Sequence, residues 1–254
     1  MNHAAPDLAI EFRNVSYHYA SAPPLLDGLT LEIHRAETLV LLGRSGSGKT
    51  TSLKLINHLL IPTAGEVLVE GRSTRDWDVI RLRRMIGYVI QEIGLFPHFT
   101  VARNIGVVPQ IENWPDDRIE KRVAELMQLV GLDPNLAARY PRELSGGQRQ
   151  RVGVARALAA DPPILLMDEP FGALDPITRA ELQHEFATMQ QRMKKTVVFV
   201  THDLREALRL GTRIALMEAG KLVTVLPRDR FIRSPEPLVK QYVEAFSSEQ
   251  EKIS

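Results

Sequence analysis

The chain has no cysteine in its 254 residues, which excludes disulfides and thiolate metal sites. It also lacks a charge excess. Thirty-two Lys and Arg stand against 31 Asp and Glu, for a formal net charge of +1. That balance leaves no electrostatic footprint for nucleic acid and no polybasic block for an anionic membrane surface. Apolar runs are short, and none approaches the ~18 residues that a membrane span requires. The opening MNHAAPDLAIEF has no basic stretch followed by an apolar run, so no signal peptide is expected. Internal repeats, low-complexity segments and flexible linkers are also missing. A soluble, cytoplasmic protein is expected, and any role at a membrane would have to come through a partner.

What is present is ample material for one large α/β domain, with or without a smaller inserted one. Ile10, Phe12 and Val15, then Leu29, Leu31 and Ile33, then Val67 and Val69 alternate along the N-terminal part. This patterning predicts half-buried antiparallel strands. Three short apolar runs do not alternate: TLVLLG (38–43), ILLMDE (164–169) and TVVFVTHD (196–203). They suit strands buried on both faces, as in a parallel sheet covered by helices. Ile119, Val123, Leu126, Met127 and Val130 recur at helical spacing before Gly131, which predicts a helix and its stop. A mostly helical insertion is expected over about 92–160. LMEAGKLVTV (216–225) reads as a hairpin turning near Ala219 and Gly220. In the tail, Leu238, Val239, Tyr242, Val243 and Phe246 fall on one helical face.

GRSGSGKT, Gly43 to Thr50, satisfies G-x-x-x-x-G-K-[ST], with a buried strand before it and a helix pattern (Leu53, Ile56, Leu59, Leu60) after it. Glycines let backbone N–H groups curl round phosphate oxygens, and the helix start adds aligned dipoles. Lys49 can reach the β and γ phosphates, and the Thr50 hydroxyl can ligate Mg²⁺. Gly43, Ser45, Gly46, Ser47, Gly48, Lys49, Thr50 and Thr51 are therefore the candidate phosphate-binding residues.

In open parallel sheets, ligands bind beyond the carboxyl ends of strands. The strand ends here deliver the P-loop, Asp168 with Glu169, His202, and, from the shorter run MIGYVIQ, Gln91. Asp168 suits Mg²⁺, which takes hard oxygen ligands and one or two carboxylates. Glu169 suits activation of the attacking water. His202 suits a hydrogen bond to the γ-phosphate, and Gln91 the water or the metal. The other histidines show no metal-ligand spacing.

LSGGQRQRVGVARAL (144–158) opens on a capping box, Ser145 with Gln148, so a helix is predicted to start there. Gly146 and Gly147 leave its first turn bare, and its N–H groups open to an anion. Arg149, Arg151 and Arg156 either serve neighbouring acids or form a solvated face.

GRSGSGKT, Gln91, LSGGQ, ILLMDEP, GALDP and the TH of THD resemble, in order and spacing, the nucleotide-binding subunit of ATP-binding cassette (ABC) transporters. The resemblance covers about residues 8–246. It implies an α/β P-loop NTPase with a mostly parallel core sheet, an N-terminal antiparallel β subdomain and an inserted helical subdomain. The core would take about 8–91 and 161–233, the helical subdomain 92–160 and the tail 234–254. The resemblance also implies ATP and Mg²⁺ as ligands and a head-to-tail dimer with ATP sandwiched between the copies. Ser145, Gly146, Gly147 and Gln148 would then hold the partner's γ-phosphate, with Asp175 at the same interface. Tyr19 matches the adenine-stacking position, with Tyr17 as the nearby rival.

Integral membrane permease subunits would be further partners, contacted near 94–105, and a solute-binding protein an indirect one; no nucleic acid is expected. The location implied is peripheral, on the cytoplasmic face of the cell membrane. IGYVIQEIGLFPHFTV and MDEPFGALDPITRAELQHEF resemble importer ATPases for osmoprotectants such as glycine betaine or choline. Some relatives carry C-terminal regulatory modules; the resemblance does not extend to one here and leaves regulation open. Arg44 in the P-loop and Ala36, where Gly is common, depart from the pattern. A soluble ABC ATPase acting on nucleic acid or the ribosome is the alternative. It fits less well with one P-loop, no heptad arm and a near-neutral charge. A small-molecule P-loop kinase would leave LSGGQ without a role.

Overall fold

A computed structural model of the chain describes residues 7–20, 23–91, 93–172 and 174–251. It divides into two compact units, Met1–Trp77 with Val198–Ser254, and Asp78–Val197.

The first unit opens with β1 (Leu8–Tyr17), antiparallel to β2 (Leu26–His34), with Phe12 opposite Leu31 and Val15 opposite Leu29. The three-residue step from Phe12 to Val15 breaks strict alternation. A bulge absorbs it, with Asn14 in the left-handed region at φ 49°, so both apolar residues stay inside. β3 (Thr38–Leu42) follows and is buried throughout. Then come α1 (Lys49–Ile56), β4 (Ala64–Val69) and the short β5 (Arg72–Ser73). One four-stranded sheet has the order β2-β1-β4-β5, every pairing antiparallel. The α1 helix is shorter than its pattern predicts: it stops at Ile56, short of Leu59 and Leu60. His58 turns left-handed at φ 54°, and the N–H groups of Leu59 and Leu60 both donate to the Lys54 carbonyl, at 2.8 and 2.9 Å. That closes the last turn and leaves Leu59 exposed.

The second unit runs from α2 (Val79–Arg84) through β6 (Ile86–Val89), α3 (Val101–Ile111), α4 (Asp116–Leu129) and α5 (Gly146–Leu158) to β7 (Ile164–Asp168) and α6 (Pro176–Met193). Side chains cap the starts of α2 and α3: Asp78 accepts from the Arg81 N–H and Thr100 from that of Arg103. The α4 helix ends as predicted, with Gly131 at φ 64°. Val123, Leu126 and Met127 of α4 are buried with Val101 and Ile105 of α3 and Val152, Ala155 and Leu158 of α5. β6 and β7 run parallel, Ile86 opposite Ile164 and Val89 opposite Met167.

β8 (Thr196–Thr201) begins at the end of the second unit and carries the chain back into the first. There follow α7 (Leu204–Leu210), β9 (Arg213–Glu218), β10 (Lys221–Pro227), α8 (Arg228–Phe231) and α9 (Pro237–Glu251). The strands of this unit's second sheet lie in the order β10-β9-β3-β8, with β3 parallel to β9. β9 and β10 form the expected hairpin, both turn residues left-handed: Ala219 at φ 47° and Gly220 at φ 79°. Val239 buries the inner face of α9, and Tyr242 and Val243 are half-buried. The side chain of Phe246 lies outside the described residues. The protein is thus α/β, with parallel-rich pairing among the buried strands and a separate antiparallel sheet near the N-terminus.

Candidate functional site

In the first unit, β3 feeds directly into the glycine-rich loop and α1. Two of its glycines are required sterically. A Cβ on Gly43 would lie 2.3 Å from the Met217 carbonyl oxygen, and one on Gly48 would lie 2.5 Å from Leu26. Gly48 also sits at φ 96°, at the N-cap of α1, with no side-chain capping bond. The first-turn N–H groups are therefore left to other acceptors, which is what a phosphate needs. Gly46, at φ 79°, has open space around it.

Lys49 is buried, and its Nζ donates to the carbonyls of Gly43 at 2.7 Å and Arg44 at 2.8 Å. The ammonium thus holds the loop's own backbone in a closed curl. Ser45 is exposed, Ser47 is buried, and Thr50 and Thr51 are half-buried on the first turn. This curl of backbone donors beside a cation fits a triphosphate. His202 is exposed one residue beyond the end of β8. Tyr17 is buried, whereas Tyr19 is 54% exposed; the two rings meet edge to face at 5.1 Å. Of the rivals, Tyr19 offers an open ring and Tyr17 serves as its backing.

In the second unit, Asp168 closes β7 and is 4% exposed. The Tyr88 hydroxyl donates to its Oδ2 at 3.5 Å. Burial, reinforced by the neighbouring carboxylate, pushes the Tyr88 phenol well above its usual range and keeps it a neutral donor. The sequence reading does not single out Tyr88, which the structure puts in contact with Asp168. The available signal was a phenol inside the apolar run MIGYVIQ, on the strand paired with β7. Glu169 follows at φ 43°, left-handed without being glycine. Such backbone costs about 1 kcal/mol or more and clusters at functional sites. The Gly172 N–H donates to the Glu169 carbonyl at 3.1 Å and holds that turn. Gln91 is exposed, two residues past the end of β6.

The predicted capping box is present. The Ser145 hydroxyl accepts from the Gln148 N–H at 3.2 Å, and the Gln148 side chain accepts from the Ser145 N–H at 2.9 Å. The two glycines after Ser145 do different work. A Cβ on Gly147 would come within 2.6 Å of Thr178 Cγ2, so α6 itself demands that glycine. A Cβ on Gly146 would meet nothing closer than Leu174 at 3.8 Å. These contacts place the start of α5 beside the start of α6. Asp175 caps α6, accepting from Ile177 at 3.2 Å and Thr178 at 3.0 Å. Hydrogen bonds from Thr178, then from Ile177, hold its carboxyl below the usual range. The α5 arginines are neither a solvated face nor simply partners of acids. Arg149 donates to the Leu144 carbonyl, Arg151 to the Val130 carbonyl and the Glu185 carboxylate, and Arg156 to the carbonyls of Ile93 and Gly94.

Among the described residues, no group of three His, Cys, Asp or Glu side chains could hold a metal by itself. Mg²⁺ does not need one. In the second unit the buried carboxylate of Asp168 is a hard-oxygen donor, and in the first unit so is the Thr50 hydroxyl; each by itself fits an ion that also takes substrate phosphates.

The strand, glycine loop and uncapped helix define a P-loop protein built to hold a nucleoside triphosphate. Residues 26–172 match the family described as ABC transporter. The chain belongs to that family. It is 52% identical to the glycine betaine uptake system ATP-binding protein YehX of Escherichia coli (strain K12), covering 84% of this chain and 69% of that one. It is 47% identical to the choline transport ATP-binding protein OpuBA of Bacillus subtilis (strain 168), over 96% of this chain. It spans 63% of the length of that relative. A solved dimeric ATP-binding cassette in a post-hydrolysis state, bound to ADP and Pi, superposes with a TM-score of 0.77 at 34% identity. That match covers 86% of this chain and 98% of the other.

Proposed function

We propose that this chain is the ATP-binding and ATP-hydrolysing motor subunit of an ABC importer that moves a small osmoprotectant such as glycine betaine or choline. The observation that carries the reading is that one chain carries two anion-ready helix starts. One is the P-loop start of α1, uncapped at Gly48 and closed by Lys49. The other is the start of α5, capped by Ser145 with open space at Gly146. A single nucleotide needs the first. The second makes chemical sense if it meets the γ-phosphate of ATP held by another copy.

In this reading the P-loop N–H groups and Lys49 bind the ATP phosphates, and Tyr19 stacks on adenine. Glu169 accepts a proton from the attacking water, as a positioned base does. Gln91 orients that water, and His202 hydrogen-bonds the γ-phosphate. Thr50, Asp168 and Gln91 would hold Mg²⁺, which when bound neutralises charge on the phosphate oxygens. Ser145 to Gln148 and Asp175 complete the site of a second copy. ATP then joins the two copies, and loss of the products releases them.

Membrane permease subunits would receive that motion near 94–105, with a solute-binding protein as an indirect partner. Among the described residues no helix is long and apolar enough to cross a membrane, which agrees with a peripheral place on the cytoplasmic face. The solute is read from the relatives, which serve choline transport and glycine betaine uptake. The near-neutral charge of +1 offers nucleic acid no net electrostatic attraction, and the relatives are transport proteins, so the transport reading is preferred to the nucleic-acid one.

The test is light scattering with ATP, run beside an ATPase assay. Wild type should dimerise with ATP and hydrolyse it. Ser145→Arg should bind nucleotide as a monomer and fail at both. Preserved turnover in that variant would remove the shared site. Recovery of nucleic acid in place of membrane proteins on copurification would remove the transport role.

A further inference from the structure

A buried carboxylate lies four residues beyond His202, and the functions assigned so far do not use it. Glu206 is 4% exposed. The Thr201 hydroxyl donates to its Oε2 at 2.6 Å, a short hydrogen bond. The same hydroxyl accepts from the Asp203 N–H at 3.0 Å. Asp203 in turn caps α7, its Oδ1 accepting from the Arg205 N–H at 2.7 Å. Each partner in this chain lies between 201 and 206, and His202 is the exposed residue between the two that are tied.

The direction of the bonds matters. A hydroxyl has one proton and two lone pairs. Because Glu206 takes the proton, the Thr201 oxygen turns a lone pair toward the Asp203 N–H. Residues 201 and 203 are therefore both fixed by one oxygen, and the backbone of His202 has little freedom between them. The carboxylate is anchored by α7, whose Ala207 is fully buried and whose Leu204 and Leu210 are nearly so. A carboxylate is rarely buried without a partner, and here one partner is the residue that ends β8.

From this network we infer that Glu206 is a positioning residue: through Thr201 it sets the turn that presents His202 to the γ-phosphate. The inference rests on the role given to His202 above. Without the carboxylate, the Thr201 proton has no buried acceptor and the hydroxyl can rotate away from the Asp203 N–H. The imidazole then samples orientations that do not meet the phosphate. Misplacement of this kind, far from the bond being broken, costs about 10²-fold in rate. Nucleotide affinity rests on the P-loop and should not change.

The experiment is a set of steady-state ATPase assays on the purified chain, with thermal melts of each variant. Glu206→Ala and Thr201→Val should each lower kcat by about 10-fold to 10²-fold with KM for ATP within about twofold. Thr201→Val is nearly isosteric, so it reports even if Glu206→Ala folds poorly. Thr201→Ser keeps the hydroxyl and should restore most of the rate. The decisive comparison is with His202→Ala: Glu206→Ala and Thr201→Val should cost nothing further in that background. Normal turnover by Thr201→Val, or losses that simply multiply with that of His202→Ala, would overturn the role of Glu206. Normal turnover by His202→Ala alone would instead overturn the reading of His202.

Discussion

Arg156, on α5, donates to the carbonyl oxygen of Ile93 at 2.7 Å, and to that of Gly94 at the same distance. The helix that opens at Ser145 thereby holds the segment that follows Gln91. Packing reinforces the tie: a Cβ on Gly153 would come within 2.9 Å of Ile93.

Arg156→Ala should strip two carbonyls of their donor. The Gly94 carbonyl is exposed and can take water instead, while the Ile93 carbonyl is only half-buried, so urea denaturation should show a loss of about 1–2 kcal/mol. Arg156→Lys should recover only part of it, because an ammonium cannot reproduce the planar fork.

Glu169→Gln should keep ATP binding but slow hydrolysis by about 10²- to 10⁴-fold, the usual worth of a positioned base. Single-turnover assays would show it, and ATP should then trap the dimer. A variant that hydrolyses at the normal rate would take Glu169 out of that role.

The two glycines after Ser145 should separate packing from ligand binding. Gly147→Ala drives a methyl into Thr178. Overpacking costs about 1–3 kcal/mol against about 1 kcal/mol gained in helix propensity, so a net loss is expected in a thermal melt. Gly146→Ala has room and should melt at or above the wild-type temperature. Its turnover should nonetheless fall if that bare turn meets a phosphate.

Asp175 should tie part of the stability of α6 to pH. Its folded pKa lies below the ordinary value because Thr178 and Ile177 donate to the ionised form. A depressed carboxylate stabilises the fold above its unfolded pKa of about 3.9 and loses that contribution as pH falls through the folded value. Asp175→Ala should therefore melt below wild type at pH 7, and the gap should close below about pH 4. A gap that stays constant over that range would show that ionisation is not the source.

Ala36 stands at φ 57° in the turn between β2 and β3, which explains why glycine suits that position. Ala36→Gly should relieve left-handed strain of about 1–2 kcal/mol while adding chain entropy worth about 0.5–1 kcal/mol. A small rise in melting temperature is expected.

Much of this protein could be read along the chain because its signals are local. A strand that ends in a phosphate loop, a serine that caps the helix bearing its own glutamine, and a hairpin turning at Ala219 and Gly220 all depend on neighbours a few residues away. The sequence by itself thus determined the P-loop, the start of α5, the buried strands and the family resemblance. Tertiary structure decided the rest, because those outcomes depend on atoms distant in sequence. Thr178 makes Gly147 obligatory, and Tyr88 stands beside Asp168 through strand pairing. The α5 arginines grip backbone carbonyls that no pattern of charges could reveal. Even the length of α1 was settled by a left-handed turn at His58 rather than by its apolar spacing. Helical periodicity shows which face can be buried, but not where the chain must turn away.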